Sequence, residues 1–178
     1  MMKQLRGTEL KRFTRDWRRA HRAIPGMVLV LQSVTYPVNV GSLFRVADAV
    51  GVREIVLTSA TPTPPQTTIA KVGRDKHRVV PWRYVENTEV AVQELRQAGY
   101  HITALEIADA ARPYYEFAFP DRTCLVLGNE DHGVSRAVLD LCDSAVFVPM
   151  MGKGLSMNVH VSAAVVLYHI LAGALSRS

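Results

Sequence analysis

Apolar residues fall along this chain in two alternating rhythms. Short continuous runs at 27–32 (MVLVLQ), 54–58 (EIVLT), 101–105 (HITAL), 123–128 (TCLVLG) and 145–148 (AVFV) read as strands covered on both faces. Between them the apolar positions recur at helical spacing. Residues 39–51 form one such stretch, with Gly51 as its stop. Asn87 caps a helix that runs to Ala98 and ends at Gly99, residues 135–141 form another, and the last runs from about Asn158 to Leu175. A short helix and a weak strand near 78–80 follow the Thr/Pro-rich loop at 58–68, and residues 106–122, with Tyr114 and Tyr115, read as irregular. Residues 8–22 form a basic amphipathic helix with Thr8 as its cap.

Strand and helix therefore alternate throughout. The prediction is an α/β fold with a mostly parallel sheet and helices on both faces. No repeat and no linker divides the chain, so residues 1–178 are expected to form one domain of ordinary size.

Composition narrows the class. Hydrophobic residues make up 48% and charged residues 21%, both globular values that exclude wholesale disorder. No continuous apolar run reaches the roughly 18 residues of a membrane span, and no apolar core follows the basic N-terminus as in a secretory signal. A cytoplasmic protein without a membrane partner is expected. Cys124 and Cys142 sit in apolar contexts and read as buried thiols. His160 and His169 share a helix, but nine residues at about 100° each put them on opposite sides, so no metal is expected there.

The formal net charge is +5 and it is unevenly spread. Eight Lys/Arg lie between Lys3 and Arg22 against two acids, and a second cluster is KVGRDKHR at 71–78. Such faces attract polyanions, RNA and DNA foremost, although a solvated helix face has the same composition.

In a parallel sheet, ligands bind beyond the C-terminal strand ends. Three such ends are rich in polar groups. The first is NVGSLFR at 39–45, where Asn39 occupies a helix-cap position, Gly41 permits close backbone approach, and Arg45 follows a turn and a half later. A plain cap plus an exposed arginine is the simpler alternative. The second is GNEDHGVS at 128–135, an acid, an amide and two glycines between strand and helix; Glu130 or Asp131 alone would also suit a helix start. The third is VPMMGKGLSMN at 148–158. Gly152 and Gly154 let main chain approach a ligand, Met150, Met151, Leu155 and Met157 offer soft apolar contacts, and Ser156 and Asn158 offer hydrogen bonds. That combination suits a flat ring with polar edges, although Asn158 also serves simply as a helix cap. The usual nucleotide signatures are missing: GKGLSM lacks the third glycine of G-x-G-x-x-G, and neither a phosphate-binding G-x-x-x-x-G-K-[ST] nor a G-x-S-x-G elbow occurs.

Taken in order, N39-x-G-x-x-x-R45, L127-G-N-E130 with Gly133, and V148-P-M followed by L155-S-M-N158-V resemble the SPOUT superfamily, in its SpoU/TrmH branch of RNA ribose methyltransferases. The likeness runs from about Met27 to Leu175. It implies S-adenosylmethionine-dependent methylation of a ribose 2′-hydroxyl in tRNA or rRNA. It also implies a C-terminal trefoil knot that bends the cofactor, and a homodimer with its active site at the subunit interface. By position, Arg45 would be the catalytic arginine, with Asn39, Glu130, Ser156 and Asn158 positioning it and the RNA. Leu105, Gly128, Val148, Met150, Gly152, Leu155, Ser156 and Met157 would surround the cofactor. No metal is implied. Ser156-Met157-Asn158 departs from the frequent Ser-Leu-Asn by a volume-conserving exchange, and Asp131-His132 intervenes before Gly133 where the pattern often has glycine at once.

Methyl transfer needs hydroxyl, methyl and sulfur in line and a way for the hydroxyl to lose its proton. An arginine, with a pKa above about 12, is a poor base. The implied role for Arg45 is therefore to stabilise the developing alkoxide, with an RNA phosphate taking the proton. The rival readings are an RNA-binding module of the same fold without catalysis, a base methyltransferase, and a nucleotide enzyme on an ordinary doubly wound sheet. The first is disfavoured by the intact polar set, the second by the Arg45 motif, and the third by the missing glycine fingerprint.

Overall fold

The structure is a computed structural model that describes residues 2–21 and 26–177. Seven strands form one sheet: β1 Val28–Gln32, β2 Glu54–Thr58, β3 Trp82–Val85, β4 His101–Leu105, β5 Arg112–Pro113, β6 Thr123–Leu127 and β7 Ser144–Phe147. Their order across the sheet is β3-β2-β1-β6-β4-β7-β5, and every neighbouring pair is parallel. Two late strands are insertions. β6 enters between β1 and β4, and β7 enters between β4 and the short edge strand β5. The chain therefore returns twice to the middle of a sheet whose flanks it has already laid down.

Alternation along the strands explains the two-sided core. On β1, Leu29 and Leu31 belong to one buried cluster, and Val28 and Val30 to the other. On β6, Leu125 and Leu127 face the first cluster, Cys124 and Val126 the second. The first is covered by α2 (Pro37–Val50), by Ile69 of α3 (Thr67–Gly73) and by α6 (Val159–Arg177). The second is covered by α4 (Thr88–Gln97) and α5 (Arg136–Leu139). Each large side chain so enclosed contributes about 1.5–3 kcal/mol relative to exposure.

The helix ends follow local chemistry. Gly51 closes α2 at φ 75°, Asn87 accepts from the Val90 N–H at 2.9 Å to cap α4, and the Ser135 side chain caps α5. Three expectations are corrected. α2 begins at Pro37, whose fixed φ suits a first helical position, so Asn39 lies inside the first turn and is no cap. The N-terminal helix, α1 (Gly7–Ala20), starts after Arg6 without a side-chain cap, so Thr8 does not play that role; Arg22 lies outside the described residues. The strand expected at 78–80 is a 3₁₀ turn at Lys76–Arg78, where the Val80 N–H returns to the Lys76 carbonyl, and pairing begins only at Trp82.

The remaining helix, α6, is long and apolar enough, by length and composition, to cross a membrane. Its hydropathy is interrupted by His160, Ser162, Tyr168 and His169, which is why no continuous run appears in the sequence. Ala163, Val166, Leu167, Ile170 and Ala174 form its buried stripe at helical spacing.

Candidate active site

A cavity of about 690 Å³ opens beyond the C-terminal ends of β4, β6 and β7. That size suits a small organic ligand. Of the residues expected at the site, Asn39, Leu105, Gly128, Glu130, Val148, Met150, Leu155, Ser156, Met157 and Asn158 all line it. Gly152 and Arg45 do not. The wall also includes Asn129 of the second motif, and Tyr36, Glu106 and Ile107, which no motif contains. Glu106 carried a signal: it is an acid at the end of a buried strand.

Glu130 is the hub of the polar wall. Its carboxylate accepts from the Thr35 N–H (3.0 Å), the Thr35 hydroxyl (3.2 Å), the Tyr36 N–H (3.2 Å) and Asn39 Nδ2 (2.7 Å). It thereby ties the loop after β6 to the entrance of α2. Burial pushes the Glu130 carboxyl up, but the hydrogen bonds from Asn39, Thr35 and Tyr36 outweigh it and hold the pKa below the ordinary value. The group is an anion at neutral pH.

A carboxylate only accepts, so Asn39 must present its amide nitrogen to Glu130 and its oxygen away. That oxygen lies 3.0 Å from His160 Nδ1. His160 therefore donates from Nδ1. Burial lowers its pKa, so at neutral pH the ring is uncharged with its lone pair on Nε2. The resulting chain, His160 to Asn39 to Glu130, joins α6, α2 and the β6 loop. Spacing marks His160 only as a non-ligand; its place two residues after Asn158 on an apolar helix is the clue the sequence offers.

The turn after β6 is built from main chain. Asn129 and Gly133 exchange two backbone hydrogen bonds of 3.0 and 2.9 Å, and Asn129 Oδ1 accepts from the Asp131 and His132 N–H groups. The two residues inserted before Gly133 are thus held in a closed turn. Gly128 is required by this packing: an added Cβ would lie 2.1 Å from the Gly133 carbonyl carbon. Gly133 has φ +66°, and Glu106 presses on it while accepting from the Val134 N–H at 2.8 Å. Gly41 likewise serves helix packing where ligand approach was expected; its Cβ would meet the Ile69 carbonyl at 2.9 Å and the Gly73 nitrogen at 3.1 Å.

The loop at 149–157 is the opposite case. Among the described residues none of its main-chain groups makes a hydrogen bond. Met151 (97% exposed) and Leu155 (86%) project from it, and a Cβ at Gly152 would meet no atom within 4 Å. A segment with amides and carbonyls free of protein partners along the rim of a cavity is suited to reading a ligand through its backbone.

Arg45 is exposed on α2, and its side chain makes no hydrogen bond or ion pair among the described residues. Six residues from Asn39, it is about 9 Å further along the helix and about 120° around it. It stands outside the cavity of its own chain. Cys124 is buried, and Cys142 is half-buried with its pKa pushed up to about 11 by burial and by Asp143. Both are inert thiols, far from nucleophilic at neutral pH.

The model of the SpoU rRNA Methylase family matches residues 26–168. The chain belongs to that family. Relatives in it include the 23S rRNA (guanosine-2′-O-)-methyltransferase RlmB of Neisseria meningitidis, 34% identical over 80% of this chain and 57% of its own length. A TrmH family tRNA/rRNA methyltransferase of Staphylococcus haemolyticus, so named provisionally, is 33% identical over the same shares. The chain thus spans little more than half the length of these curated relatives. The fold matches the SpoU methyltransferase AviRb of Streptomyces viridochromogenes, solved in complex with AdoMet, with a TM-score of 0.78 at 24% identity over 87% of this chain and 62% of that one. It also matches the A. aeolicus TrmH/SpoU tRNA modifying enzyme, TM-score 0.76 at 24% identity over 94% and 87%. The resemblance read from Asn39, Arg45, Glu130 and Asn158 and the expected α/β fold are therefore both borne out.

Proposed function

We propose that this SpoU-family protein methylates a ribose 2′-hydroxyl of RNA with S-adenosylmethionine, as one domain that works as a cytoplasmic homodimer. The observation that carries the reading is the convergence on one cavity of the Glu130–Asn39 pair, backed by His160, and the unbonded loop at 149–157. These residues fit the cofactor. Leu105, Val148, Met150, Leu155 and Met157 supply an apolar slot for a purine, and the free backbone groups of 149–157 supply partners for its polar edge. The trefoil knot implied by the resemblance agrees with the late insertion of β7 between β4 and β5.

S-adenosylmethionine, when bound, supplies a methyl group on a positively charged sulfur. Leu105, Val148, Met150, Leu155 and Met157 would hold it with that methyl carbon offered to the ribose oxygen and its sulfur as the neutral leaving group, and the hydroxyl proton would pass to an RNA phosphate. The protein's share is placement and charge. Glu130 stays ionised and fixes the start of α2 through Thr35, Tyr36 and Asn39. Arg45 stays protonated and stabilises the oxygen as negative charge grows on it.

Arg45 meets the reacting oxygen across a subunit boundary. α6 leaves Val161 (41% exposed) and Tyr168 (52%) uncovered on one face, and Tyr36 and Val38 stand exposed at the start of α2 beside it. Pairing of these faces would carry Arg45 of one subunit towards the cavity of the other. A Tyr168→Glu variant should then sediment as a 19.7 kDa monomer where the wild type sediments as a dimer.

The test is transfer of tritiated methyl from S-adenosylmethionine to bacterial total RNA, followed by nucleoside mass spectrometry. Label on ribose supports the reading, and label on a base overturns it. RNA binding without label points to a non-catalytic module. Calorimetry with Leu155→Asp isolates the cofactor step, because an exposed rim residue can change without unfolding the chain; S-adenosylmethionine affinity should fall at least tenfold, about 1.4 kcal/mol.

A further inference from the structure

We infer that the turn joining α3 to the following 3₁₀ turn, with Lys71 and Arg74 as its free cations, is a docking site for the RNA phosphate backbone beside Arg45. The inference rests on the RNA-substrate reading and adds a location to it.

The turn is placed by a close helix crossing. α2 and α3 touch backbone to backbone at Gly41 and Gly73, where a Cβ on either would come within 3.1 Å of the other's main chain or nearer. Along α2, Gly41, Arg45 and Asp48 lie on one stripe, spaced four and three residues apart. Gly41 packs against Gly73, and Asp48 holds Lys76 at 2.7 Å. The segment 73–76 therefore runs alongside α2 past the level of Arg45. Arg74 follows directly on the Gly73 contact, and Lys71 precedes it on the last turn of α3.

Ion pairing divides the cations of this region into two sets. Lys76 is paired with Asp48, and Arg78 with Asp75 at 3.6 Å. The side chains of Lys71, Arg74 and Arg45 have no hydrogen bond or ion pair among the described residues, and all three residues are exposed. Other cations on the sheet's flanks are matched, as in Arg83 with Glu94, Arg96 with Asp143, Arg136 with Asp140 and Arg177 with Asp121, while the unmatched Arg53, Arg112 and Lys153 stand singly in the sequence. Two unmatched charges beside Arg45, the residue assigned to the reacting ribose, favour a repeating anion, and a phosphate backbone is one.

The backbone at Arg74 adds an independent observation. Arg74 and Asp75 both adopt left-handed conformations, φ 48° and 56°. Glycine takes such angles at no steric cost, whereas an arginine does not. The chain carries a charged side chain at a position where local conformation favours none.

That conflict supplies the test. Arg74→Gly removes the charge and relieves the backbone, so it should keep or raise the melting temperature. Binding is read by fluorescence anisotropy with a fluorescein-labelled, mixed-sequence 20-nucleotide single-stranded RNA across a salt titration. If the turn binds phosphates, Arg74→Gly lowers the salt dependence of log K by about 0.7 and Lys71→Gln/Arg74→Gly by about 1.4, with S-adenosylmethionine affinity unchanged. Arg136→Gln, on the opposite face of the sheet, should leave the slope alone. Wild-type binding with an unchanged slope in the double variant overturns this site and leaves the methyltransferase reading standing. An equal loss in Arg136→Gln overturns it as well, because binding would then follow net charge only. Wild type that binds no RNA overturns both readings together.

Discussion

Asn39 donates from Nδ2 to Glu130 Oε1 over 2.7 Å, across 91 residues of sequence. Because the same carboxylate also takes the Thr35 and Tyr36 N–H groups, one side chain sets the position of a whole helix entrance. Glu130→Gln keeps one acceptor oxygen but sets an NH2 against either the Thr35 N–H or the Tyr36 N–H and Asn39 amide, and removes the charge from the rest. Leaving one partly buried donor unmatched costs about 1–3 kcal/mol. For a chain of this size that corresponds to a melting temperature lower by roughly 2–10 °C, read by circular dichroism. Asn39→Asp, which sets carboxylate against carboxylate, should be worse.

The same group makes stability depend on pH. The folded pKa of Glu130 is held below its ordinary value of 4.5. Its contribution is therefore fully present above about pH 4.5 and is lost as pH falls through the lower folded value. The difference in melting temperature between wild type and Glu130→Gln should be flat from pH 6 to 8 and shrink below about pH 4.5. A difference that widened on acidification would contradict the assignment of Glu130 as the ionised hub.

Two glycines of the cavity should respond in opposite ways. A methyl group at Gly128 would collide with the backbone of Gly133 and Val134 at 2.1–2.3 Å, a contact that no side-chain rotation relieves. Gly128→Ala should lower stability by at least the 1–3 kcal/mol of ordinary overpacking and should abolish cofactor binding by displacing the turn. Gly152→Ala has open space around it and should leave the melting temperature within about 2 °C, because surface changes of this kind fall within ~0.5 kcal/mol. Thermal melts of the two variants, side by side, decide the matter.

The contrast between these glycines shows what sequence pattern carries and what it lacks. Strands such as Glu54–Thr58 and His101–Leu105 are legible to the residue, because a strand buried on both faces must be a continuous apolar run. Their order is not, since no local signal tells that β6 and β7 return to the middle of the sheet. Motif resemblance located Asn39, Glu130 and Asn158, and the structure brings them to one cavity. It left open why Gly41 and Gly128 must be glycine. Both answers are backbone contacts with Gly73 and Gly133, distant in space only until the chain is folded. His160 and Glu106 escaped for a related reason. Each acts through a hydrogen bond to a residue far along the chain, Asn39 and Val134, and spacing records nothing of that.

Arg45 offers the sharpest test of how the site is assembled. It is exposed, makes no contact that its removal would orphan, and stands outside the cavity of its own chain. Arg45→Ala should therefore leave both melting temperature and S-adenosylmethionine affinity unchanged. If its guanidinium stabilises the oxygen in the transition state, kcat should fall by about 10²–10³, as for loss of one oxyanion donor. Arg45→Lys keeps the charge without the planar fork and should recover only part of the rate. Subunit mixing then separates the two geometries. Arg45→Ala has an intact cavity, and Leu155→Asp has an intact Arg45. If each arginine serves the partner's cavity, a hybrid dimer contains one complete site. A randomly reassorted 1:1 mixture should then regain about one quarter of wild-type activity, since half the dimers are hybrids with one working site of two. If each arginine serves its own cavity, no hybrid contains a complete site and mixing restores nothing.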